Sequence, residues 1–423
     1  MKKIKEWKLT DKISESKNKL KEKADQIKQR SEERMQSDEM LDLSAKLRMH
    51  KMKMRMRYII GAAVVCVLLG SAMIYKQVHV YHGYRIQSSV ERSDDAVTQY
   101  VRVKNNRTLK CNPNGVTCVN DKNEVQWNTT FNMQSLIVDA CGSTVVVGDK
   151  RGSLVYVFDE DGLLGNYEVE YTLMKVRVAK QGVVAAVLED GETTWVNVYD
   201  VQGNILVKNK TSMAESGYPL DIALSSDGMK MAVSYLAADQ KDIMTRIAFY
   251  NFSSVGRGQT DNLVNQVEYN GQVVPQVCFM DDGCAVAFTD SGITFFSGRQ
   301  VPEERTKVVV EQEIISAFCD GEHVGIVTAS DDTEQKYKYK MQIYRSNGSK
   351  TTTKYFDEEY TEIKISDGEI ILFNNNNLVI YTVRGKKKFA GTYEKVIQDV
   401  IKGSKDKVYS VITRDSTDQI KIK

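Results

Sequence analysis

Proline and histidine are scarce, with four of each in 423 residues. So little proline excludes a stiff Pro-rich stalk. Four histidines, at 50, 79, 82 and 323, leave little material for a His-based triad or a histidine-rich zinc site. His79 and His82 could share a helix face, but no acidic or Cys partner lies near them in sequence, and they read as a solvated link. His323 sits in an apolar run and reads as a satisfied strand histidine. There is no Gly-rich phosphate loop and no nucleophile elbow. Asp159-Glu160-Asp161-Gly162 lacks the alternating twelve-residue ligand pattern of a calcium loop and reads as a turn. The sequons at Asn128, Asn251 and Asn347 read as turns too. No catalytic, cofactor-binding or metal-ligating residue is expected, no cofactor, and no enzyme activity.

What is present is one long uncharged run. Tyr58 to Tyr75 (YIIGAAVVCVLLGSAMIY) holds no charged side chain over eighteen residues. As a helix it spans roughly 27 Å, close to the hydrocarbon core of a bilayer. The 57 residues before it are too long a leader for a signal peptide. Lys51, Lys53, Arg55 and Arg57 crowd its N-terminal edge. By the positive-inside rule they keep that side in the cytoplasm and send the rest outside. Residues 1–57 carry a net charge of +8 in a chain of +2, so the remainder is −6. The basic stub suits anionic lipid headgroups. The mildly acidic remainder argues against nucleic acid. Four parts follow: a cytoplasmic helical segment (1–57), a transmembrane helix (58–75), a linker (76–82) and an extracytoplasmic body (83–423).

The stub favours helix, being rich in Lys, Glu, Gln and Met with no Pro or Gly over residues 2–50. Ile13, Leu20, Ile27 and Leu41 fall on a seven-residue grid, but the second seam is polar. A solvated or membrane-surface helix fits better than a coiled coil.

Beyond residue 83 helical periodicity gives way to short apolar runs punctuated by Gly, Asn and Asp. One turn recurs: Asn105-Asn106, Cys141-Gly142, Gln181-Gly182, Asp227-Gly228, Asp282-Gly283, Asp320-Gly321, Asp367-Gly368 and Lys402-Gly403. Their second residues are spaced by 36, 40, 46, 55, 38, 47 and 35. About 20 residues later a second signal appears, a β-branched residue, an aromatic, three residues and Gly. It reads Val157-Phe158…Gly162, Val198-Tyr199…Gly203, Ile343-Tyr344…Gly348 and Ile380-Tyr381…Gly385. Four antiparallel strands in roughly 40 residues is a propeller blade. The expected fold is an all-β, eight-bladed β-propeller, with seven blades as the alternative, preceded by the membrane helix and the helical stub. The eighth unit supplies three strands: Val396–Lys402, Val408–Arg414 and Gln419–Lys423. Because an open ring leaves a bare sheet edge, Tyr84–Val90 is expected to be its fourth strand.

Seven cysteines are present. Cys66 lies in the apolar run, and the other six fall where disulfides are chemically allowed. Cys111 and Cys118 bracket the turn Asn112-Pro113-Asn114-Gly115. A Gly115 bulge would set Cys111 opposite Thr117, so no bridge follows. Cys278 and Cys284 flank another turn diagonally. Buried free thiols are favoured for all six.

The segments Leu220-Asp221-Ile222-Ala223-Leu224-Ser225-Ser226-Asp227-Gly228, Phe249-Tyr250-Asn251-Phe252 and Val198-Tyr199-Asp200-Val201-Gln202-Gly203 carry a resemblance. Over roughly residues 95–390 the chain resembles the uncharacterised membrane-anchored WD-repeat-like or quinoprotein-like propellers of clostridial Gram-positive bacteria. The resemblance implies fold and topology and no activity.

In a propeller, turns between second and third strands share a face with the links between blades. Entry of the chain at Tyr84 turns that face away from the membrane. Its longest loops are expected at Ala237–Lys241 and Ser330–Gln335, where Asp239, Asp242, Asp331, Asp332 and Glu334 form a candidate acidic protein-binding surface. The long segment Ser253–Asp261 belongs to the opposite face. The expected role is a non-enzymatic interaction scaffold for envelope proteins at the cell membrane. A glycan or small-molecule sensor signalling through the stub is the second reading.

Overall fold

The computed structural model describes residues 21–23, 25–30, 43–92, 98–212, 216–239, 242–331 and 336–423. The chain divides into two compact units, Met1–His79 and Val80–Lys423.

In the first unit a single helix, α1, runs Leu43–Val78 without a break. No proline interrupts it, and at about 1.5 Å per residue it is about 54 Å long. Its stretch Met49–Ser71 is long and apolar enough to cross a membrane, with mean hydropathy 1.5. Lys51, Lys53, Arg55 and Arg57 are exposed on the same helix as Tyr58, Ile59 and Ile60. Residues 21–23 and 25–30 are also helical, and Ile27 is exposed there. Ile13, Leu20 and Leu41 of the seven-residue grid lie outside the described residues.

The second unit is an eight-bladed β-propeller. Eight four-stranded antiparallel sheets follow one another in chain order. First strands touch between blades two and three, three and four, four and five, and six and seven, and the first strands line the axis. All eight recurring dipeptides fall between first and second strands. Their backbone explains their composition. Asn105, Asn106, Gly142, Gly182, Gly228 and Gly368 take positive φ, which Gly and Asn reach most easily. The second signal marks the third strand's turn into the fourth. The register slips between Val157 and Phe158, Val198 and Tyr199, Ile343 and Tyr344, and Ile380 and Tyr381. At each of these bulges the aromatic side chain is buried in the core.

The last sheet is made of β30 (Ile397–Lys402), β31 (Val408–Thr413), β32 (Ser416–Ile422) and, on its outer edge, β1 (Tyr84–Glu91). The first strand of the propeller therefore closes the ring, as expected from Tyr84–Val90. Tyr84 pairs with Ile422 and Glu91 with Ser416. Ahead of it, Tyr81 exchanges backbone hydrogen bonds with Lys388 and Ala390 of blade seven, and Gly83 with Lys423.

Apolar clusters fill seven of the interfaces between neighbouring blades. The eighth, between the last blade and the first, is different. A small cavity of about 40 Å³ lies there, lined by Val90, Val119, Ile401 and Ile412 together with more numerous polar side chains, among them Arg102, Asp121 and Gln419. Asp121 accepts from Arg102 at 3.1 Å, and its carbonyl accepts from Gln419 at 3.3 Å. Among the described residues the seam is the most polar of the eight interfaces.

Asp418 anchors the closing strand. It is fully buried and accepts hydrogen bonds from Ser89, Tyr393 and Lys395, the last at 3.0 Å. Burial raises its pKa, but the bonds from Ser89, Tyr393, Lys395 and Ser416 outweigh that and hold it below the usual carboxylate range. A depressed folded pKa stabilises above the unfolded value of about 4 and is lost as pH falls through the folded value. Asp418→Asn is therefore expected to lower the melting temperature near neutrality and to flatten its dependence on pH below about 4. Thermal melts across that range check it, and an unchanged acid limb would contradict it.

Candidate binding face and axial channel

Two places can hold a ligand or partner: the axis and the faces. The axis is built from the first strands. Asp139 comes from blade two (Leu136–Cys141), Lys175 and Arg177 from blade three (Thr172–Val178), and Asp221 from blade four (Tyr218–Leu224). The Asp221 side chain is only 3% exposed and pairs with Lys175 and Arg177, each at 3.1 Å. Its other oxygen accepts the Val277 N–H of blade five at 3.0 Å. One carboxylate thus joins three consecutive blades. Asp139 lies 4.0 Å from Arg177 and accepts the Val178 N–H at 2.8 Å. Burial raises its pKa, which Arg177 partly offsets. Across the ring Lys364 pairs with Asp399. These charges are committed to one another. Cavities of about 300 and 270 Å³ open toward the two faces, sharing Arg177. Among the described residues no three His, Cys, Asp or Glu side chains are grouped to hold a metal.

The face carrying the second-to-third turns departs from expectation in blade four. Ala237–Lys241 was expected as a loop. Instead β15 (Lys230–Asp239) and β16 (Asp242–Asn251) are ten-residue strands paired up to Asp239 and Asp242. Their neighbours stop earlier, at Tyr218 opposite Leu236 and at Asn270 opposite Met244. The hairpin tip therefore stands beyond its blade, with Ile243 55% exposed. Ladder hydrogen bonds, available to any side chain, extend the strands through a sequence that reads as a loop.

The next two blades add exposed apolar residues to this face: Val309, 71% exposed, at the end of blade five's outer strand, and Ile315, 49% exposed, at the start of blade six's inner strand. Blade six contributes Tyr337, 6.2 Å from Tyr355, with Lys336 over its ring at 5.4 Å. Asp331 sits at this corner, but Lys340 and the Tyr355 hydroxyl, at 2.8 Å, bond to it and hold its pKa down. Lys338 pairs with Glu359 beside it. Among the described residues the corner carries aromatic side chains and paired charges. Asp332 and Glu334 lie outside the described residues. Of Asp239 and Asp242 only the backbone is described. The tyrosines escaped the sequence reading, although the alternation Lys336-Tyr337-Lys338-Tyr339 held the signal. The opposite face has exposed apolar residues of its own on blades one to three, at Val125, Leu163, Leu164, Ile205 and Leu206.

The cysteines are free among the described residues. The register at Cys111 differs by one from expectation. A two-residue turn sets Asn112 opposite Gly115, so Cys111 faces Val116 and Cys118 faces Leu109. Gly115 is required because a Cβ there would meet the Thr129 carbonyl at 2.4 Å. Burial pushes the Cys111 thiol up to about 12. Asn128 lies within a strand, Val125–Thr130, rather than a turn.

Among known proteins, a family model described as a family of unknown function, DUF5711, matches residues 77–422. No curated protein sequence matches the chain. Solved propellers resemble it in fold alone. A eukaryotic initiation factor is 12% identical with a TM-score of 0.50, over 81% of this chain and 87% of that one. BamB from Moraxella catarrhalis is 12% identical with a TM-score of 0.49, over 80% and 100%. Sqt1 of Chaetomium thermophilum, solved bound to the N-terminus of ribosomal protein L10, is 9% identical with a TM-score of 0.49, over 75% and 94%.

Proposed function

The chain belongs to DUF5711, a family of unknown function, and within it we propose a non-enzymatic scaffold, anchored by α1 in the cell membrane, whose propeller holds a protein partner outside the cell. The observation that carries this is the sector of blades four to six. Ile243, Val309 and Ile315 are exposed on one face of three successive blades, beside the Tyr337–Tyr355 corner and an extended hairpin. Exposed apolar and tyrosine side chains ringed by paired charges are the composition of a protein interface. The part of the hairpin edge that runs past Tyr218 offers backbone groups to a partner strand. In contrast, the axial charges satisfy one another, which favours the face over the channel.

The anchor reading rests on the apolar stretch Met49–Ser71 behind Lys51, Lys53, Arg55 and Arg57. With the basic side in the cytoplasm, against anionic lipid headgroups, the propeller lies outside.

Joining Leu236 to Thr245 by Asn-Gly removes the tip and leaves a favoured two-residue hairpin turn. The shortened protein is expected to melt within about 2 °C of the parent. It is also expected to lose the protein that cross-linking in intact cells attaches to the parent. Recovery of the same cross-linked protein from the shortened form would overturn the assignment.

A further inference from the structure

Three cysteines line the cavity of about 300 Å³ at one mouth of the axial channel: Cys141, Cys278 and Cys319. Two of them belong together. Cys278 lies on the innermost strand of blade five (Gln276–Asp281) and Cys319 on that of blade six (Ile314–Cys319). Both side chains face the same cavity and the same apolar cluster between the two blades. Cys284, the nearer cysteine in sequence, sits one strand out, opposite Asp281.

We propose that Cys278 and Cys319 are a redox modification site, closing to a disulfide that staples the innermost strands of blades five and six at the channel mouth. The step is thiol–disulfide exchange. A dithiol–disulfide oxidoreductase supplies the oxidising disulfide, and a mixed disulfide forms on one of the two cysteines. The other thiol, as thiolate, attacks it. The two cysteines lose two protons and two electrons, and the oxidoreductase leaves as a dithiol. The solvent-open cavity admits the oxidant to these thiols, whereas Cys111 and Cys118 are fully buried. Contact with Cys319, burial and nearby Asp221 push the Cys278 thiol well up, and Arg177 only partly offsets them. The chemistry of the pair is independent of location, but its use in the cell rests on the propeller being outside, where disulfides persist.

The test uses the full-length protein in detergent, incubated with oxidised glutathione and a catalytic dithiol oxidoreductase, then mapped by peptide mass. The expected product is a linked Cys278–Cys319 peptide pair. A rise in melting temperature of about 5 °C should accompany it. Cys278→Ser and Cys319→Ser each abolish the rise, and Cys284→Ser leaves it intact. Glutathione on either thiol without the link, or a link from Cys278 to Cys141 instead, overturns the proposal. Rapid alkylation of intact cells then separates the two readings. Linked cysteines in cells support both. A pair that links in detergent but is found reduced in cells upholds the site and contradicts the exterior location.

Discussion

A chain lacking Tyr84–Glu91 is expected to lose cooperative unfolding and to aggregate, although the other thirty-one strands remain. β1 contributes seven residue pairs to β32. Tyr84 also packs on Tyr393 with ring centroids 5.0 Å apart. At about 0.5–1.5 kcal/mol for each hydrogen bond, with the apolar burial added, the loss approaches the whole stability of an ordinary domain, about 5–15 kcal/mol. The seam sharpens the effect. The cavity between the last and first blades is lined mostly by polar side chains, so closure rests largely on the strand pairing itself. Deletion also strips the cover from Asp418 and bares the edge of β32 as a template for aggregation. A synthetic peptide of the sequence Tyr84–Glu91, added during refolding, is expected to restore a soluble, cooperatively melting protein by strand addition. A deletion that stays monomeric and melts as the parent does would contradict the closure.

The second large effect is at Asp221. Asp221→Ala is expected to destabilise the propeller by about 3 kcal/mol, the lower part of the range for breaking a buried pair, because Lys175 and Arg177 are partly solvated. Two cations of the same strand, Lys175 and Arg177, then stand side by side without their shared carboxylate, and the Val277 N–H loses its acceptor. Asp139→Ala should cost about 1 kcal/mol, since that side chain is 25% exposed and 4.0 Å from Arg177. Denaturant titrations of both variants test the ranking. Equal costs, or a change below about 1 kcal/mol for Asp221→Ala, would show that the axial network is not what joins blades three to five. Combining Asp221→Ala with Arg177→Ala should recover part of the loss, because an unpaired charge is removed.

Much of the propeller was legible in the sequence because many of its blades repeat one or both of two backbone demands. In five blades positive φ at the inner turn selects Gly or Asn, and in four the bulge in the third strand carries a β-branched residue before a buried aromatic. Both survive as short patterns at a blade's period, so blade number and ring closure followed from counting. Long-range relations left no such trace. The partners of Asp331 were not readable, because Tyr355, which bonds to it, is 24 residues away. The hairpin around Ala237–Ile243 looked like a loop because its composition carries no strand signal, and the pairing that extends it is set by the strands beneath. The Cys111 register was misread because Gly115 was assigned to a bulge, whereas its constraint is the close approach of Thr129. The polar seam is a property of two blades at opposite ends of the chain. The thiol pair joins residues 41 positions apart.

The most direct test of the scaffold account is photo-cross-linking in intact cells from single positions on the propeller. A photoreactive residue is placed at Ile243, at Tyr337, or at exposed Glu322, which lies on the opposite face of the same blade as Tyr337. The account predicts one discrete protein adduct shared by Ile243 and Tyr337 and missing at Glu322. No adduct at Ile243 and Tyr337, or the same adduct at all three, would contradict a partner held on the face of blades four to six.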